Sequence, residues 1–130
     1  GFGYRRSAFG DGRAVVLEAE LALEPGDRAE IGARMEELGR RRREKQPLEL
    51  PSAGSTFKRP QGHYAGALIE TCGLKGARVG GAQVSPKHAG FVVNTGGATC
   101  ADVLALIAHI QAVVLERTGV QLEPEVKVVL

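Results

Sequence analysis

The stretch from Thr99 to Gly119 constrains this chain more than any other, because it specifies its own start, its own buried face and its own stop. Thr99 is a residue type whose hydroxyl caps a helix, and Asp102, three places on, completes a capping-box pattern. Val103, Leu106, Ile107, Ile110 and Val114 then recur at helical spacing, and Gly119 supplies a left-handed stop. A helix with a single apolar stripe needs a second layer to cover that stripe.

Several other segments offer such a layer. Val15, Leu17, Ala19, Leu21 and Leu23 alternate with Glu18 and Glu20, the pattern of a half-buried strand over residues 14 to 23. Pro25-Gly26-Asp27 turns the chain, with Asp27 as an N-cap. Ile31, Met35 and Leu38 predict a helix running on into Arg40 to Arg43, although Gly32 and Gly39 weaken it. Residues 46 to 62 hold Pro47, Pro51, Pro60, Gly54 and Gly62 and read as largely irregular. Loops of that length in a domain are commonly functional or disordered. Tyr64, Ala65, Leu68, Ile69 and Cys72 fit a short amphipathic helix ended by Gly73. Residues 77–85 and 90–94 are β-type runs on either side of Pro86-Lys87-His88, and residues 122–130 read as a last strand. The order β-α-loop-α-β-β-α-β predicts an α+β domain, a mixed sheet packed against two or three helices.

Composition narrows the function classes. The 130 residues suffice for one modest core, and 43% hydrophobic with 25% charged residues excludes a disordered chain. Lys and Arg exceed Asp and Glu by only 17 to 15, with four Phe, two Tyr and no Trp, so nucleic acid is not an expected partner. No apolar run reaches bilayer length, so no membrane association is expected either. Cys72 and Cys100 make no disulfide framework, and a reducing cytoplasm is the expected compartment. The chain opens Gly1-Phe2-Gly3-Tyr4-Arg5-Arg6 without Met, and is expected to be a piece of a longer polypeptide.

Four features carry possible chemistry. Pro51-Ser52-Ala53-Gly54-Ser55-Thr56-Phe57-Lys58 sets small residues around a hydroxyl, so a flat ligand could approach the backbone and meet Ser55. The alternative is a turn whose hydroxyls bond their own backbone. GxSxG is absent and no base is identifiable, which argues against a hydrolase. The Arg40-Arg41-Arg42-Arg43-Glu44-Lys45 run is either a solvated helix end or a source of cations for a phosphate. His63, His88 and His109 show no metal spacing, and no metal is expected. Glu123 and Glu125 flank Pro124 and, taken alone, read as surface carboxylates.

The segments FGYRRSAF (2–9), KQPLELPSAGSTFKRP (45–60), AGALIETCGLKGARVGGAQVSPKHAGFVVN (65–94) and LEPEVKVV (122–129) together resemble the UDP-N-acetylenolpyruvoylglucosamine reductases, in that family's order and spacing. The shorter subclass, without an extra substrate-covering tyrosine loop, fits best. The resemblance implies a three-domain enzyme in peptidoglycan precursor synthesis. Its two N-terminal domains bind FAD, NADPH serves as reductant, and the third domain binds UDP-N-acetylglucosamine enolpyruvate. Residues 1–13 would be the end of the flavin-domain connection and 14–130 the substrate-binding domain, partnered with the rest of the same polypeptide.

The resemblance also assigns roles. Ser55 matches the proton donor, and Arg5 and Glu125 match the pair that polarises the enolpyruvyl carboxylate. Tyr4, Lys45, Arg59 and His88 match substrate-binding positions, with Lys45 at the diphosphate. Arg42 and Gly54 would lie near the flavin together with Ser55, and Lys127 falls where an arginine is common. A non-catalytic nucleotide-sugar binding module is the alternative reading, and a flavin fold in the parent gene would exclude it.

Overall fold

Helical hydrogen bonds are local, and in the computed structural model, which describes residues 1–10 and 12–129, the helices stand where the sequence marks them. α1 (Arg28–Lys45) begins at Asp27, whose Oδ1 accepts from the N–H groups of Ala29 and Glu30 at 2.9 Å. α2 (Ala65–Thr71) ends as Gly73 turns at φ 70° and donates to Glu70 O at 2.9 Å. α3 (Cys100–Thr118) has the full capping box: Thr99 Oγ1 accepts from Asp102 N–H at 3.1 Å, and Asp102 Oδ2 accepts from Thr99 N–H at 2.9 Å. Gly119, at φ 71°, closes it by donating to Leu115 O.

The capping box makes a pH-dependent contribution. The Thr99 backbone N–H, then its hydroxyl, hold the Asp102 carboxyl below its ordinary value. A depressed carboxyl stabilises fully above its unfolded value, and that stabilisation fades as pH falls through the lower, folded value. Thermal melts taken from about pH 5 down to about pH 2 should therefore fall more steeply for wild type than for Asp102→Asn. Thr99→Ala should cost about 1 kcal/mol at neutral pH. Identical slopes for wild type and Asp102→Asn would show that the box contributes nothing.

Four strands form the sheet: β1 (Ser52–Ser55), β2 (Arg78–Val79), β3 (Ala82–Val84) and β4 (Phe91–Asn94), in the order β1-β4-β3-β2. Each pairing is antiparallel, where a mixed sheet was expected. The short links between β2, β3 and β4 explain their part of this, since a parallel return needs a crossover of a dozen or more residues. α3 packs on β2 and β3 and against α2. Ile69, Val84, Leu106, Ile110, Val114 and Leu122 are sealed from solvent between these layers, and Phe57 joins them from the loop after β1. The α+β class, with helices on a sheet, is as the sequence implies.

Two further expectations are corrected, for residues 14–23 and 122–129. Residues 14–23 form no strand; Val15, Leu17, Leu21 and Leu23 are all strongly exposed. A strand has no internal hydrogen bonds, so alternation without a neighbouring edge does not make one. Residues 46–62, expected to be largely irregular, are so apart from the four-residue β1. Residues 122–129 make a single antiparallel bridge, Pro124 to Phe57, rather than a strand. The chain divides into two compact units, Gly1–Arg34 and Met35–Leu130. Among the described residues, no helix is long and apolar enough to cross a membrane.

Candidate functional site

Ser55 is presented by a defect in the sheet. β1 takes three steps from Ser52 to Ser55 while β4 takes two from Val93 to Phe91, so the strand bulges. Gly54 takes up the bulge at φ 83°, a value that side chains resist, and open space lies where its Cβ would be. Thr56, next along, is buried: its N–H donates to Gly90 O at 2.9 Å and its Oγ1 accepts from Val92 N–H at 3.1 Å. Ser55 is thus pinned through its neighbours, while its own side chain stays exposed. Its Oγ donates only a long bond, 3.4 Å, to Phe57 O.

The C-terminal segment runs antiparallel beside this loop. Lys58 N–H donates to Glu123 O, and Glu125 N–H donates to Thr56 O, both at 2.9 Å, around the Phe57–Pro124 bridge. The two carboxylates read alike in the sequence now separate. Glu123 is exposed and ion-paired with Lys58, whereas Glu125 is half-buried and lies across from Thr56 in the ladder.

A hollow of about 550 Å³ opens beside Ser55, lined by Arg42, Gln46, Leu50, Gly54 and Phe91 among others. The sequence readings named Arg42, Gly54 and Ser55 but missed Gln46 and Phe91. The four-residue spacing of Arg42 and Gln46 on a helix was the available signal for the first. Lys45, the last residue of α1, is exposed and outside this lining. His88 backs the hollow rather than lining it: its ring meets Phe91 edge-on at 5.0 Å, and its Nδ1 accepts from Gly90 N–H at 3.1 Å.

Two expected contacts lie in other hollows. Arg59 borders one of about 390 Å³ with Lys58, His63, Gln121 and Glu123, its guanidinium 4.0 Å above the Tyr64 ring. Lys127 borders an apolar one of about 490 Å³ with Val93, Cys100, Val103 and Ile107. The fold of the larger unit therefore gathers Arg42, Gly54 and Ser55 around one hollow and leaves Lys45, Arg59, Glu125 and Lys127 outside its lining.

In the smaller unit, Tyr4 and Arg5 form the tip of a tight turn in which Gly3 and Arg6 exchange both backbone hydrogen bonds, at 2.9 and 3.1 Å. Arg5 sits at φ 57°, alone among the described non-glycine residues in having positive φ. That conformation costs a non-glycine residue about 1–3 kcal/mol, and such outliers cluster at functional sites. Its guanidinium lies 5.4 Å from the Tyr4 ring. No group of three or more potential metal-binding side chains occurs among the described residues.

Comparison with known proteins gives a consistent result. Residues 46–129 match the family model "UDP-N-acetylenolpyruvoylglucosamine reductase, C-terminal domain". Over 128 residues, 98% of this chain, it is 59% identical to the UDP-N-acetylenolpyruvoylglucosamine reductase of Levilactobacillus brevis, and equally to that of Caldanaerobacter subterraneus subsp. tengcongensis. The chain spans 42% of the length of each of these relatives. The crystal structure of UDP-N-acetylenolpyruvylglucosamine reductase from Thermus caldophilus superposes with a TM-score of 0.67 at 40% identity, covering 82% of this chain and 37% of that one. Sequence and fold thus agree, and the chain belongs to the family of UDP-N-acetylenolpyruvoylglucosamine reductase C-terminal domains.

Proposed function

We propose that this chain is the substrate-binding part of a reductase that converts UDP-N-acetylglucosamine enolpyruvate to UDP-N-acetylmuramate for peptidoglycan synthesis. The observation that carries the reading is the bulge at Gly54, which presents the exposed Ser55 side chain to the hollow it shares with Arg42. Ser55 and Glu125 both occupy positions that the family resemblance marks as catalytic.

The hollow suits a flat cofactor at one edge, since nothing lies within 4 Å of the position a Cβ would take on Gly54. Bound FAD, held mainly by polypeptide outside this chain, would supply hydride taken from NADPH. The remaining work falls to this chain's own residues. Ser55 donates the proton to C2 of the enolpyruvyl group. A serine hydroxyl is a weak acid, so it suits only a strongly basic acceptor carbon. The Arg5 guanidinium meets the enolpyruvyl carboxylate through paired N–H donors and, together with Glu125, stabilises the charge that develops there. Tyr4 contacts the substrate, Lys45 engages the diphosphate, and Arg59 and His88 contact the nucleotide sugar. Were Lys127 to reach the flavin from its own hollow, it would supply a point charge without the planar fork of an arginine.

Purification of the full-length polypeptide containing this chain tests the reading. Bound flavin, with NADPH oxidation that depends on the enolpyruvyl sugar nucleotide, is the expected result. Lys45→Ala should raise the KM for that substrate. A full-length protein that binds the sugar nucleotide but carries no flavin would be a binding module, and the proposal would fall.

A further inference from the structure

The successive arginines Arg40 to Arg43 have different surroundings. Arg40 is ion-paired with Glu37 and with Glu44, both at 2.6 Å, and Arg41 with Glu37 at 2.5 Å. Arg42 pairs with no carboxylate among the described residues. Its Nε donates instead to Oε1 of Gln46 at 3.1 Å, one helical turn on. The Gln46 backbone is fixed in turn: its N–H donates to Arg42 O at 2.9 Å, and the fully buried Pro47 follows. Both side chains line the hollow that holds Gly54 and Ser55.

A guanidinium carries its N–H donors in one rigid plane. A bond at Nε sets the orientation of that plane and leaves the two terminal nitrogens to meet an acceptor with two oxygens. The neutral amide of Gln46 does this without cancelling the charge. A carboxylate at the same place would form an i,i+4 ion pair of the kind Arg40 makes with Glu44. We propose that Gln46 is a positioning residue, which holds the uncompensated Arg42 guanidinium toward an anionic group, phosphoryl or carboxylate, of the ligand in the hollow beside Ser55. The inference rests on the functional reading above for the ligand's identity. Its geometry is that of the hollow.

The test uses the full-length holoenzyme. Dissociation constants are measured for the enolpyruvyl sugar nucleotide, through the flavin spectrum, and for FAD added to the stripped protein. Gln46→Met, which removes the acceptor, should weaken one of these ligands about threefold to tenfold, as the loss of one hydrogen bond's orienting effect. Gln46→Glu should weaken the same ligand tenfold or more, because it neutralises the guanidinium while keeping the orienting bond. Loss confined to the sugar nucleotide would identify its anion as the partner. Loss confined to FAD would identify the flavin's diphosphate. In an Arg42→Ala background, Gln46→Met should have no further effect.

Melting temperatures of the variants report separately on folding, so a binding loss without a melting shift is specific to the ligand. Unchanged constants in both variants of an active enzyme overturn the proposal alone. So does a Gln46→Met effect that persists in full without Arg42. An inactive, flavin-free wild type overturns the functional reading and the proposal with it.

Discussion

Replacing Ser55 with alanine in the full-length enzyme should slow reduction of the sugar nucleotide by about 10²–10⁴ and leave reduction of the flavin by NADPH at the wild-type rate. The asymmetry follows from where the hydroxyl stands. Its backbone is held by the bulge at Gly54 on one side and the buried Thr56 on the other, so removal of one oxygen should not move the strand. Ser55 Oγ makes only a 3.4 Å bond to Phe57 O, so little stability is lost with it. Stopped-flow measurement of the two half-reactions separates the cases. Equal losses in both would show that Ser55 supports the flavin site in general, and the proton-donor role would be wrong.

Gly81→Ala should be the most damaging single-methyl change outside the site. A Cβ there would stand 2.5 Å from Ala98 N and 2.8 Å from its Cα, in further conflict with Gly96 O. These are backbone atoms, which cannot swing aside as a flexible side chain would. Gly81 O also accepts from Thr95 N–H at 2.9 Å and from Thr95 Oγ1 at 3.0 Å, so the turn between β2 and β3 is clamped to the segment that leads into α3. Overpacking of this kind costs about 1–3 kcal/mol, occasionally more, and each kcal/mol lowers the melting temperature by about 2–8 °C depending on domain size. Gly32→Ala is the control, since Gly32 lies within α1 without a positive φ and has open space at its Cβ, so the added methyl should not lower the melting temperature. A Gly81→Ala protein that melts with wild type would mean that the β2–β3 turn is free to retreat from α3.

The site was legible in the sequence only in part. Ser55 stood out because Gly54 and small neighbours surround it, and the bulge gives that composition its geometry. Without the family resemblance, Glu125 could not be told from Glu123, because the difference is which of them lies across from Thr56 and which reaches Lys58. Nor, on the residues alone, could Arg42 be told from Arg40 and Arg41, because its distinction is the absence of a carboxylate partner among the described residues and a place in the hollow's wall.

What the sequence by itself determined is what hydrogen bonds within a few residues can decide. The start of α3 at Thr99, its stop at Gly119, its buried stripe, the Asp27 cap of α1 and the end of α2 at Gly73 all belong to this class. Tertiary structure decided the rest. Residues 14–23 alternate as a strand should and form none, while the proline-rich stretch from 46 to 62 supplies β1 because β4 offers it an edge. The bond between Thr56 and Glu125 joins residues far apart in the chain, and the contacts of the intervening core hold them together. A ladder needs a partner whose identity is not written in the strand itself, and a helix does not.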